Sequence, residues 1–228
     1  MSQTVRLAFA PSAHLTEIQM VTQGDTARAV FDRWLGVEMT PGLAARGWHR
    51  RGSVFSRVAN GNTSFIEFRE SRWATPLEYE FSIDLGLFSP YLAQVWAGFT
   101  GIHVPTQPQP TNAQLSLPLG WLMGRRSDFF WRIRTPESAV RTRSLGTRVR
   151  RTIETLAIPW LDAHSSDEQL RDYFLQTAVE QDELGLSYLR ALLVDRGPVE
   201  RVAEVDALLS TVGERMARLR QEAIARHG

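Results

Sequence analysis

Two groups of side chains have the types and spacing for chemistry. In the first, Glu78, Glu80 and Asp84 occupy even positions with Ser82 and Gly86, while Tyr79, Phe81, Ile83, Leu85 and Leu87 fill the odd ones. An extended chain sends alternate side chains to opposite faces, so the three acids share one face. Neighbours at i, i+2 on it are about 7 Å apart. Glu67, on a preceding run, is placed on the same face, with Arg57 and Arg69 on adjacent strands to pair with the acids. Carboxylates grouped in this way can transfer protons when their environments differ. The plainer reading is a cross-strand ion network in water. For a ligand on this face, Arg57 and Arg69 would hold an anionic group, and Glu80 or Asp84 would accept from hydrogen-bond donors.

The second group lies in residues 125–151. Arg125, Arg126, Arg132, Arg134, Arg141, Arg143, Arg148, Arg150 and Arg151 face only Asp128 and Glu137, with Phe129, Phe130 and Trp131 among them. Cations interleaved with aromatic rings suit phosphate contact and base stacking. Pairing with acids of the chain itself is favoured over nucleic acid, and the C-terminal segment offers Glu180, Asp182, Glu183, Asp195, Glu200, Glu204 and Asp206. A third use is contact with another protein. Just before this block, residues 85–124 contain no Asp, Glu, Lys or Arg, and His103 is their one group that titrates near neutrality. Pro90, Pro105, Pro108, Pro110 and Pro118 prevent that stretch from being one helix or one strand. It reads as a buried strand followed by a neutral loop, or as an uncharged binding surface. On the second reading, Trp73, Trp96 and Trp121 would wall a pocket between the sheet and the 89–112 loop.

Composition removes other chemistries. There is no cysteine, hence no disulfide, thiolate nucleophile or Cys-ligated zinc. All 26 basic residues are arginine, which excludes a lysine Schiff base and a P-loop lysine. His14, His49, His103, His164 and His227 show no metal-ligand spacing, so no metal site and no cofactor are expected. No Gly-x-Ser-x-Gly elbow and no glycine-rich phosphate loop occurs, and no catalytic residue is assigned. A net charge of +1 gives no global field toward nucleic acid. Residues 1–10 hold one Arg and no long apolar core, unlike a secretory signal. No run approaches the roughly 20 apolar residues of a membrane span. The expectation is a cytoplasmic protein with no membrane partner.

The elements that position these groups follow from pattern and punctuation. Residues 1–24 read as a lead-in, in which residues 4–9 alternate like an edge strand. Asp25 or Thr26 caps a helix over about 26–46, bent near Thr40 by Pro41 and stopped at Gly47. Strands are expected at 53–58, 63–72 and 78–87, the first two joined by an Asn60-Gly61 type I′ turn. A short helix is expected at 89–99, and further strands at 113–122 and 129–134. A helix opens at Pro136 and is ended by Pro159. Helices then fill 165–226, with Ser166 and Gln169 as a capping box and Gly197-Pro198 as a break. The fold class is α+β: an antiparallel sheet of about five strands with helices packed on one face, over 25–161. A helical C-terminal extension follows over 162–228, packed on the first domain.

Several packing residues resemble a known family. Gly47-Trp48, Ser53-Val54-Phe55-Ser56-Arg57, Glu70-Ser71-Arg72-Trp73, Phe81-Ser82-Ile83-Asp84-Leu85-Gly86, Phe130-Trp131 and Ile158-Pro159-Trp160-Leu161 carry the likeness. On these motifs, residues 26–161 resemble the bacterial domain of unknown function 4304 family. The resemblance implies an α+β domain of antiparallel strands with helices, and no activity, cofactor or catalytic residue. The lead-in and the 89–112 loop depart from the family pattern.

The functional reading is a non-enzymatic binding or accessory module that recognises a protein partner, with an immunity-like or gene-cluster accessory role in view. One alternative is nucleic-acid binding through residues 125–151. Another is a small-molecule binder or enzyme using the pocket beside the 89–112 loop.

Overall fold

The computed structural model describes residues 26–125, 129–135 and 139–227. The strand expected at 4–9, and the helix start at Pro136, lie outside them. Thr26 caps α1 (Ala27–Trp34) by accepting from the Ala29 N–H. A π turn, Leu35–Met39, joins it to α2 (Thr40–Ala44), and Pro41 sits in the first turn of α2. Proline has no N–H and its ring crowds the carbonyl one turn back. The widened turn, with the Thr40 N–H bonded to the Leu35 carbonyl, lets the helix run on past that position.

The strands are β1 (His49–Arg51), β2 (Val54–Ala59), β3 (Asn62–Glu70), β4 (Glu78–Phe88), β5 (Leu115–Pro118) and β6 (Trp131–Arg134). All pairings are antiparallel, in the order β1-β2-β3-β4-β5, with β6 also on β4. The sheet therefore has six strands where about five were expected. The additional one, β1, is a three-residue hairpin arm that turns at Gly52 with φ +63°. Asn60 and Gly61, at φ +50° and +87°, make the two-residue turn between β2 and β3. Pairing changes along β4. Residues 78–81 pair with β6, whereas 84–87 pair with β5. The 113–122 strand is correspondingly shorter than expected, and Leu119–Leu122 turns into a short helix, α4.

One face of the sheet carries Phe55, Ile66, Phe68, Tyr79, Phe81, Ile83, Leu85 and Leu87. Phe31 and Trp34 of α1 lie over Phe81, with ring centroids 5.0 and 5.5 Å away, and Trp131 stacks on it at 5.9 Å. The same core takes in Leu145 and Val149 of α5 (Ala139–Thr152), and Leu161 of α6 (Ile158–Ala163). Leu170 and Phe174 of α7 (Asp167–Gln176), and Leu186, Leu189 and Leu193 of α8 (Glu183–Arg196), complete it. Val205 of α9 (Val202–His227) is buried against it as well. Pro159 does not end its helix as expected. A second π turn, Ile153–Ala157, precedes it, so the helix continues to Ala163.

The opposite face is not uniformly wet. At the β5 end, Phe65, Phe88 and Ala93 form a second apolar cluster, closed by Val54 and Val104. A Cβ on Gly86 would lie 3.1 Å from that of Ala113, so the returning segment rests directly on the strand. The neutral 101–114 stretch thus covers one half of this face. The expectation of a water-facing side is met only in part: around residues 78–84 this face carries charged side chains, but Glu80 and Ser82 on it are buried.

If the Phe81 cluster carries the fold, Phe81→Ala should cost about 3–5 kcal/mol of stability. Val58, at 73% exposure, should lose less than about 1 kcal/mol on conversion to Ala. Urea unfolding followed by circular dichroism at constant m separates the two.

Candidate binding site

The open half of the sheet carries a built ion network. Arg132 Nε donates to Glu80 Oε2 at 2.6 Å and lies 3.3 Å from Glu78 Oε1. Arg134 Nε donates to Glu78 Oε2 at 2.6 Å. Antiparallel register sets these pairs, because Glu80 lies opposite Arg132 and Glu78 opposite Arg134. Arg69 pairs with Asp84 at 3.0 Å, and Glu67 lies directly across from Asp84. Glu80 was expected in water, but its side chain is only 9% exposed. It lies under the Arg132 guanidinium, and the Ser71 hydroxyl donates to its second oxygen at 3.0 Å. Burial, then the neighbouring Asp84 carboxylate, raises the pKa of Glu67 above the usual range, against the pull of Arg69.

Arg57 does not belong to this network. It pairs in register with Ser64 and so faces the core side. There its guanidinium lies 4.7 Å from the Trp48 ring centroid and forms an ion pair with Asp162. It ties the β2–β3 hairpin to α6. Asn60 and Asn62 extend the tie, donating to Ser165 Oγ at 2.7 Å and to the nearly buried Asp167 at 3.2 Å.

Beside the network lie two cavities that share Phe130. One, of about 410 Å³, is lined by Arg69, Glu70, Ser71, Arg72, Trp73 and Ser82 as well as Phe130. Trp73 is 69% exposed, and the Arg72 guanidinium lies over its ring at 4.9 Å. The other cavity, of about 550 Å³, lies between β6 and α5 and is lined by Met123, Phe129, Phe130, Trp131, Arg132, Leu145, Arg148, Arg151 and Thr152. Arg125 stacks on Phe129 at 4.6 Å, and Phe129 meets Trp131 edge to face at 4.7 Å. Trp131 is mainly a core ring, and its expected role as a surface contact reduces to one wall of this cavity.

For the two arginines of β6, the expected neutralisation by the C-terminal acids is replaced by pairing within the sheet. Arg132 and Arg134 pair with Glu78 and Glu80 of β4. The C-terminal acids pair within their own region, as Asp206 with Arg190 and Glu204 with Arg201. Arg148 and Arg151 are exposed and form no ion pair among the described residues. Arg126 lies outside those residues. The three tryptophans expected to wall one pocket are separate. Trp73 lines the 410 Å³ cavity, Trp96 lies beside the 101–114 segment, and Trp121 is 57% exposed and lines neither arginine cavity. Sequence reasoning did not single out Arg72 or Ser71, nor Arg148 and Arg151 within the block. The i, i+3 spacing of the last two on one helix face was the available signal.

Among the described residues no group of three or more His, Cys, Asp or Glu is placed to hold a metal. No helix there is long and apolar enough to cross a membrane. Comparison of the chain with protein-family models, curated proteins and solved structures returned no match.

Two outcomes follow from this geometry. A carboxyl whose pKa is raised on folding favours the protonated state. Its contribution is fully present below the unfolded value of about 4.3 and is lost as pH rises through the folded value. Glu67→Gln should therefore raise the urea midpoint at pH 7, with the difference disappearing toward pH 4. Arg132→Gln should lower the midpoint more than Arg134→Gln, because it leaves the Glu80 carboxylate enclosed without its cation. Adding Glu80→Gln should recover most of that loss, and absence of recovery would place the Arg132 effect elsewhere.

Proposed function

We propose that this chain is a non-enzymatic binding module that takes an acidic segment of a protein partner into the cavity between β6 and α5. The observation that carries this reading is the lining. Arg132, Arg148 and Arg151 line it together with Phe129, Phe130 and Trp131, and among the described residues no carboxylate does. Arginine forks beside aromatic rings form the surface chemistry of protein-binding hot spots. An acidic segment would supply the counter-charges that Arg148 and Arg151 do not find among the described residues.

The same arginines and rings keep nucleic-acid binding as the second reading. What disfavours it is the neighbourhood. A phosphate backbone leaving this cavity across the sheet meets Glu67, Glu78, Glu80 and Asp84, interleaved with Arg69, Arg132 and Arg134. Among the described residues that face carries no continuous cationic track, whereas a protein partner can match mixed charges one by one. The resemblance to the domain of unknown function 4304 family implies a scaffold and no activity, so it carries no part of this proposal.

The test uses a Glu-Glu-Phe-Glu-Glu peptide and a single-stranded oligothymidylate as probes, with the Trp131 indole NMR signal as readout. The peptide should bind, and Arg148→Ala/Arg151→Ala should weaken it about tenfold without loss of fold. If the oligothymidylate binds more tightly, with steep salt dependence lost in the double variant, the chain is a nucleic-acid binder instead.

A further inference from the structure

The neutral half of the molecule holds a different cavity, of about 340 Å³, between α3 (Pro90–Thr100), the 101–114 segment and α8. Its volume lies at the lower end of small-molecule sites, which run from about 300 to 1,000 Å³. Among the described residues no Asp, Glu or Arg lines it, and His103 is its one basic side chain. An ion taken in here would lose water without gaining a counter-charge, so the cavity selects against charged ligands. Phe88, Val104 and Trp96 supply apolar walls, and Tyr188 meets Trp96 edge to face at 6.5 Å. Trp96 remains 38% exposed and leaves a flat ring for a ligand to cover.

Two of the polar groups on the wall, the amides of Asn112 and Gln114, have a common sense. The Gln114 side-chain oxygen accepts from the Ser89 N–H at 2.7 Å, and the Asn112 side-chain oxygen accepts from the Gln109 N–H at 2.8 Å. These bonds fix the orientation of both amides, because an N–H must meet the oxygen rather than the NH₂. Each NH₂ group is then left without a protein acceptor among the described residues. These two amides thus present donors, and what complements them is an oxygen acceptor, while Thr111, His103 and Tyr188 on the same wall can donate or accept.

We infer that this cavity is a binding site for a small uncharged ligand that stacks a flat ring on Trp96 and offers a carbonyl or ether oxygen to the amides of Asn112 and Gln114. The site is separate from the arginine-lined cavity and does not depend on its function.

The probes are acetophenone, which has ring and acceptor without charge, ethylbenzene, which lacks the acceptor, and benzoate, which carries a charge. Titration of the ¹⁵N-labelled full chain follows the Trp96 indole and the Asn112 and Gln114 side-chain amides. Acetophenone should shift all three signals saturably and bind about fivefold more tightly than ethylbenzene, the difference expected for one or two net hydrogen bonds. Benzoate should bind more weakly still. Gln114→Leu should remove the preference for acetophenone. Should that variant unfold through loss of the Ser89 bond, Trp96→Ala, at a half-exposed position, should abolish the saturable shifts in a folded chain. Equal affinity for the three probes, tightest binding by benzoate, or no saturable shift would each overturn the assignment.

Discussion

Phe81 is the point on which the rest of the molecule depends. Its ring is fully buried, and the rings of Phe31, Trp34, Phe68, Tyr79 and Trp131 surround it with centroids 5.0–6.3 Å away. These rings come from α1, β3, β4 and β6, so one contact cluster fixes the first helix, the central strand and the late edge strand together. Seating Trp131 on Phe81 fixes the β4–β6 register, which places Arg132 opposite Glu80 and Arg134 opposite Glu78. The polar face therefore inherits its geometry from the apolar one. A slip of one residue would turn the arginines into the core and Trp131 into water.

The helices over this cluster must pass two prolines, and both are handled alike. Pro41 and Pro159 each follow a five-residue π turn by two positions. In each case the N–H before the proline reaches back five residues, from Thr40 to Leu35 and from Ile158 to Ile153. The wider turn keeps the chain helical where a strict α-helix would have to break or kink. It also permits close packing: a Cβ on Gly146 of α5 would lie 2.9 Å from Glu38 in the first π turn. α5 is thereby drawn against the α1–α2 region, which holds Leu145 and Val149 in the core and leaves Arg148 and Arg151 facing the cavity.

Much of this was legible in the sequence because it rests on local rules. Period-two alternation located β4 and assigned Phe81, Ile83, Glu80 and Asp84 to their faces. The Asn60-Gly61 pair located the first long hairpin, and Ser166 with Gln169 marked the start of α7. The misplacement of Arg57 was avoidable on the same grounds. A two-residue loop pairs Ala59 with Asn62 and hence Arg57 with Ser64, which shares a face with Ile66 and Phe68. Other features were not local. The burial of Glu80 depends on Arg132 and Ser71, and the covering of Phe65 and Phe88 depends on Val104. The separation of Trp73, Trp96 and Trp121 depends on the whole path of residues 85–124. That path reverses over Gly86, where only contact with Ala113 reveals it.

The partner change along β4 explains why charge is segregated in both sequence and space. Residues 84–87 pair with β5, which ends the charge-free stretch, and 78–81 pair with β6, inside the arginine block. Both partners occupy the same edge of one strand, so the boundary between neutral and basic sequence near residue 124 becomes a boundary on the sheet. On the neutral side, the returning segment must lie on Phe65, Gly86 and Phe88, where a charged side chain would be desolvated without a partner. The absence of Asp, Glu, Lys and Arg from 85–124 is then a packing requirement over part of that stretch. It leaves an uncharged cavity where the covering segment meets α3 and α8. On the basic side no described segment forms such a lid, and Glu78 and Glu80 of β4 are matched by arginines arriving on β6. Once Glu78 and Glu80 are matched by Arg132 and Arg134, an exposed arginine nearby with no ion pair of its own is surplus to that network. Arg148 and Arg151 are such a surplus, and it is this excess over the network that marks the cavity they line as a place for a partner's charge.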